Sequence, residues 1–218
     1  MKLLLVICLL GAMNMHAQKK ISHFTYFGQE REQIQDTSFL NAKNIRGAQI
    51  RYSWKMLEPV KDEYHFETIE EDLAILKSHH KQLFIQLSDV TFDTQWIAVP
   101  KYIVNDPIYN GGANIQYSFP DDDESSAIQG GWVARRWDQQ VRARYKKLLQ
   151  ELGKKFDGRV AGINLSETAV EFKKGKFQPP GFTPASYAEG IKDIMKSMKQ
   201  SFSKKRLHHL RQFHARQY

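Results

Sequence analysis

Residues 47–87 read G-A-Q-I-R-Y-S-W-K-M-L-E-P-V-K-D-E-Y-H-F-E-T-I-E-E-D-L-A-I-L-K-S-H-H-K-Q-L-F-I-Q-L, and this stretch decides the fold. Residues 47–54 and 82–87 are β-prone runs. Between them, in residues 68–77, Ile69, Leu73 and Leu76 recur at the three- and four-residue steps of an amphipathic helix. Strand, helix and strand at these lengths predict a βαβ unit, whose strands run parallel because the helix carries the chain back. Outward from it, residues 23–28 (HFTYFG) predict an earlier strand ended by Gly28. Residues 36–43 predict a helical turn with Asp36 or Thr37 as its cap. Residues 160–165 (VAGINL) predict a fourth strand, nearly all apolar as expected for one buried on both faces. Helical periodicity runs from Trp132 through Val133, Trp137, Val141, Tyr145, Leu148 and Leu152 to Phe156. Thr183 opens a last helix with Pro184 at its first position. The class is α/β with about four βα units on a parallel sheet. The long stretch of residues 88–131, rich in Pro and Gly, reads as an irregular loop, and loops of this length are usually functional.

The chain has 218 residues, 41% hydrophobic and 26% charged, which excludes collagen, coiled coil and wholly disordered protein. The length suits one domain but falls short of the about 250 residues of a complete (β/α)8 barrel. A formal charge of +8 invites a nucleic-acid reading. However, the last fifteen residues hold five basic side chains and no acid, so the rest carries 27 basic against 24 acidic residues. The body is near neutral, and no nucleic-acid partner is expected. Residues 201–218 read as a basic, disordered tail.

Lys2, the apolar run of residues 3–11 and the site Met15-His16-Ala17 predict a signal peptide over residues 1–17, too short to span a bilayer. The lone cysteine, Cys8, lies inside it, so the mature chain has no disulfide and no thiol site. A secreted or periplasmic bacterial protein is expected, with no membrane association after cleavage. Residues 18–200 form the folded domain.

In parallel α/β proteins the ligand crevice lies past the carboxyl ends of the strands. The fourth strand runs into Ser166 and Glu167, and a carboxylate so placed suits general-acid work or serves as a cap or surface acid. Arg51, between Ile50 and Tyr52, points to the opposite face from both. There it would hold a carboxylate or make a structural ion pair. Trp54, Trp96 and Trp132 are candidate platforms for stacking on sugar faces or packing residues; Asp89 and Asp93 are further acids near the crevice. The acidic residues 121–124 lack the spacing of a calcium loop and read as a solvated loop. Adjacent histidines at 79–80 and 208–209 do not converge on one metal, and no phosphate loop or nucleophile elbow is present. No cofactor and no metal are expected.

The run from Arg51 through Trp54, Glu58-Pro59, Tyr64 and Phe66, together with residues 155–163 and Glu167, resembles clan A glycoside hydrolases, the retaining (β/α)8 enzymes of cellulase and β-galactosidase type. The likeness spans roughly residues 23–200. It implies the N-terminal half of a TIM barrel, with Glu167 as general acid/base and Arg51 supporting the catalytic carboxylates. It also implies a carbohydrate partner bound by Arg51, Trp54, Asp89, Trp96, Trp132 and Ser166. The clan places asparagine where this chain has Ser166, and its nucleophile on a seventh strand. The resemblance therefore implies a truncated, inactive fragment of an O-glycosidic hydrolase. A non-catalytic carbohydrate-binding pseudoenzyme is the alternative.

Overall fold

The computed structural model describes residues 21–172 and 175–203. The predicted signal segment, residues 1–17, and residues 204–218 of the basic tail lie outside the described residues. The fold is α/β. Strands β1 (His23–Gly28), β2 (Ile45–Ser53) and β3 (Gln82–Ser88) form one sheet with a later strand, Gly162–Leu165. A two-stranded hairpin, β4 (Ala113–Ser118) and β5 (Ile128–Ala134), comes before that later strand, which is therefore β6. The main sheet has order β1-β2-β3-β6 and is parallel throughout. The helices are α1 (Thr37–Asn41), α2 (Trp54–Leu57), α3 (Glu67–Ser78), α4 (Lys101–Asn105), α5 (Gln139–Phe156) and α6 (Pro184–Ser201). This is the partial TIM-barrel architecture expected from the sequence: four parallel strands with helical crossovers.

Period-two alternation sorts each strand into two faces. Ala48, Ile50, Tyr52, Leu83, Ile85, Leu87, Ile163 and Leu165 are buried on one face. They join the apolar stripes of α3 (Ile69, Leu73, Leu76), α5 (Val141, Tyr145, Leu148, Leu152, Phe156) and α6 (Ile191, Ile194, Met198) in one core. Each removes its side chain from water for about 1.5–3 kcal/mol. The opposite face carries Gln49, Arg51, Gln86 and Asn164 on β2, β3 and β6. The helix starts are capped as their sequences allow. The Asp36 carboxylate accepts from the Ser38 and Phe39 amides at α1, Asp138 from Gln140 and Val141 at α5, and Thr183 with Ser186 makes a reciprocal box at α6. Phe202, just past α6, is 3% exposed and belongs to the core.

Two expectations change. Helix α5 begins at Gln139, not near Trp132, and residues 88–131 are not without structure. They contain α4 and most of the hairpin, which pairs antiparallel and docks on the loop after β3 through Thr91 N–H to Trp132 O (2.8 Å) and Ala134 N–H to Asp89 O (3.0 Å). Val133 fits a helical period, but cross-strand pairing with Asn114 outweighs that local signal, and Trp137 lies in the turn between β5 and α5. Gly130 and Gly131 sit at the register shift of the hairpin. Gly131 has φ 115°, and a Cβ there would lie 2.2 Å from the Thr91 carbonyl oxygen. The strand approaches that closely only because the side chain is missing.

Candidate active site

The carboxyl ends of β1, β2, β3 and β6 lie along one rim. The peptide N–H of Ser166 donates to Leu87 O (3.1 Å), extending the β3–β6 ladder past β6, and Ser166 Oγ donates to Ser88 Oγ at 3.1 Å. Directly after it, the half-buried Glu167 folds its side chain back on its own loop. Its Oε1 accepts the amides of Thr168 and Ala169, both at 2.7 Å, and no hydrogen bond to Oε2 is made among the described residues.

Arg51 sits on the face opposite the core, in register with Gln86. Its Nε donates to Gln86 Oε1 (3.0 Å), and its Nη2 donates to the Tyr26 hydroxyl, which donates in turn to Gln86 Oε1 (3.1 Å). The guanidinium also lies 5.9 Å from the Tyr26 ring centre. A parallel bond joins Gln49 Nε2 to Asn164 Oδ1 at 3.1 Å. Tyr26, Arg51 and Glu30 border an open depression of about 450 Å³ at the end of β1. Sequence reasoning singled out Arg51 alone here. The other members were legible as polar residues at alternate positions in otherwise apolar strands, namely Gln49, Gln86 and Asn164.

Trp54 and Asp89 are placed elsewhere than a ligand-binding role requires. Trp54 is 0% exposed. Its indole N–H donates to Glu58 Oε2 (2.9 Å), and its ring meets Tyr145 edge-on at 4.9 Å. Arg144 pairs with the same Glu58 carboxylate, so the Glu58-Pro59 motif fastens the β2–α3 connection to α5. Asp89, 1% exposed, is gripped by Arg136 through Nε (2.9 Å) and Nη2 (2.6 Å). Burial opposes the charge on Arg136, but Asp89 outweighs it and pushes the guanidinium above its ordinary value. Arg136 Nη1 donates to the Tyr187 hydroxyl at 2.8 Å. Neither Arg136 nor Tyr187 was identified from sequence as part of this region, because one lies in a loop and the other matches a helical stripe.

Trp132 is half-buried, with its indole N–H on Thr94 O (2.8 Å). Trp96 is also half-buried, and its carbonyl accepts from Thr91 Oγ1 (2.9 Å). Phe92, in the same loop, is 68% exposed. Asp93 caps that loop through Gln95 N–H (2.8 Å). In the acidic run, Asp123 accepts from Ser125 N–H and Oγ. Among the described residues no three His, Cys, Asp or Glu side chains converge to hold a metal ion, and no helix is long and apolar enough to cross a membrane.

This arrangement of strands and helices is found in solved structures. A GH10 endoxylanase retrieved from a sugarcane soil metagenome superposes with a TM-score of 0.51 at 12% identity, over 86% of this chain and 47% of that one. The GH5_18 protein of Bifidobacterium longum gives 0.52 at 9%, over 81% and 41%. Xylanase 10B of Thermotoga petrophila, solved with xylobiose, gives 0.51 at 11%, over 86% and 48%. The likeness is one of fold. The chain spans less than half the length of each of these three structures. No family model and no curated protein matches the sequence.

Proposed function

We propose that the chain is the N-terminal barrel half of a secreted glycoside hydrolase that cleaves O-glycosidic bonds in a poly- or oligosaccharide with retention, and that Glu167 is its general acid/base. The observation that carries this reading is the placement of Glu167 just past the fourth parallel strand, with Oε1 taken by two amides and no hydrogen bond made to Oε2 among the described residues. With Oε1 taken by the two amides, Oε2 is the oxygen left to exchange a proton with a leaving group. We assign Arg51, Tyr26 and Gln86 to the polar face of the same sheet, and Ser166, one residue before Glu167, to contact with a sugar hydroxyl.

Retention requires a second carboxylate about 5–5.5 Å from the first. In the sheet, β3 is the strand beside β6. The acid there, Asp89, is locked to Arg136. We therefore read the chain alone as an inactive, truncated fragment, exported by the segment of residues 1–17 to the periplasm or the medium.

Incubation of the purified chain with 4-nitrophenyl glycosides tests this, and no turnover is expected. Turnover abolished by Glu167→Gln overturns the inactivity while upholding the acid/base. Turnover that survives Glu167→Gln removes Glu167 from the mechanism. The second reading, a non-catalytic carbohydrate-binding protein, is favoured by the exposed Phe92 and half-buried Trp96 and Trp132 beside an open rim. Calorimetric titration with xylobiose decides it, since a folded sample that releases no heat removes it.

A further inference from the structure

One peptide group, the Thr168 carbonyl with the Ala169 amide, lies between the buried ion pair and Glu167. Its oxygen accepts from the Tyr187 hydroxyl at 2.8 Å, and its N–H donates to Glu167 Oε1 at 2.7 Å. Tyr187 in turn accepts from Arg136 Nη1 at 2.8 Å, and Arg136 is anchored by Asp89. We propose that Tyr187 is a positioning residue for Glu167, acting through this peptide: the chain Asp89, Arg136, Tyr187, Thr168–Ala169 holds the Glu167 carboxylate in one orientation at the rim. The inference deepens the reading of Glu167 as acid/base and rests on it.

The direction of every bond in the chain is consistent. Arg136 has only donors, so the Tyr187 oxygen is the acceptor and its single proton is left for the Thr168 carbonyl. Burial pushes the Tyr187 phenol up from its ordinary value, so the hydroxyl keeps that proton. A carbonyl that accepts a strong hydrogen bond polarises its own amide group and makes the N–H a better donor, which is the cooperativity of linked hydrogen bonds. The anchor is rigid because Asp89 and Arg136 are each 1% exposed on different segments, the end of β3 and the loop after β5. Tyr187 comes from α6. Three elements far apart in sequence therefore bear on the position of one loop carboxylate, beside the local bond it accepts from the Thr168 amide.

The test is amide exchange and the proton chemical shift at Ala169, measured by NMR on the full chain. Tyr187→Phe keeps the ring and deletes the hydroxyl. Glu167→Gln leaves Tyr187 untouched on an accessible loop. Each single substitution is expected to move the Ala169 amide proton upfield and to speed its exchange by about tenfold, the scale of one net hydrogen bond. The double variant is expected to exchange no faster than the faster single one, because both substitutions break the same chain. Effects that multiply in the double variant, or an Ala169 amide unchanged in Tyr187→Phe, overturn the proposal. Coupling at Ala169 is measured without sugar, so its loss indicts the positioning chain. Turnover of 4-nitrophenyl glycosides by the chain, should it occur and survive Glu167→Gln, indicts the acid/base reading instead.

Discussion

Arg136 meets Asp89 with two parallel contacts, Nε to Oδ2 at 2.9 Å and Nη2 to Oδ1 at 2.6 Å, and both side chains are 1% exposed. A guanidinium and a carboxylate removed from water together are held by the pairing; either one alone is not.

Asp89→Asn leaves the Arg136 charge buried without its counter-charge and is expected to lower unfolding stability by about 3–5 kcal/mol. Joining it to Arg136→Met should cost less than the sum of the two single changes, because the second removes the stranded charge. Urea denaturation of the four proteins gives the numbers. Additive losses would show that the pair is not a unit.

Trp54 and Trp96 are expected to separate by stability. Trp54→Ala empties a fully buried site against Tyr145 and removes the donor to Glu58 Oε2, at a cost of about 3–5 kcal/mol. Trp96→Ala, in the half-buried loop, should cost less than about 1 kcal/mol. Equal midpoints for the two variants in a thermal melt would contradict the packing role of Trp54.

Gly190→Ala inverts the usual rule for helices. In an isolated helix the change gains about 1 kcal/mol. In α6, however, a Cβ at this position would lie 2.1 Å from the carbonyl oxygen of Arg136. The helix must shift off the loop that carries the ion pair, so the melting temperature is expected to fall. A rise would show that α6 is not seated this closely.

Part of the acid sensitivity follows from three carboxylates paired between elements. Hydrogen bonds from Arg159 hold Glu70 below its ordinary value, as Arg144 does Asp62 and Lys146 does Asp193. For each, the unfolded chain binds its proton first as pH falls. Their stabilisation is therefore complete above their unfolded values, near pH 4–5, and is lost as pH falls through the lower folded values. Melting temperature should be flat with respect to these groups above about pH 5 and drop towards pH 3. Glu70→Gln should flatten that drop, and raised salt should weaken the effect. A slope unchanged by Glu70→Gln would remove the Arg159 pair from the account.

The apolar runs of residues 47–54, 82–87 and 160–165, with the helical stripe of Ile69, Leu73 and Leu76 between the first two, fixed the parallel α/β class from sequence, because burial on both faces of a strand and on one stripe of a helix is written in local periodicity. The same periodicity misread Val133, since its antiparallel partner Asn114, nineteen residues upstream, is invisible to a local pattern. At the rim, Glu167 and Arg51 were legible because their place follows from where a strand ends and which way it alternates. What Trp54, Asp89 and Tyr187 do was not legible. A tryptophan after a strand packs or stacks according to whether α5 covers it, and an aspartate is a ligand or a buried anchor according to whether Arg136 reaches it. Residue type and spacing along the chain set the elements and their faces. Which polar groups face each other, forty-seven residues apart for Asp89 and Arg136 and fifty-one for Arg136 and Tyr187, was decided only when the elements packed, because hydrogen bonds and ion pairs depend on distance in space and not on separation in sequence.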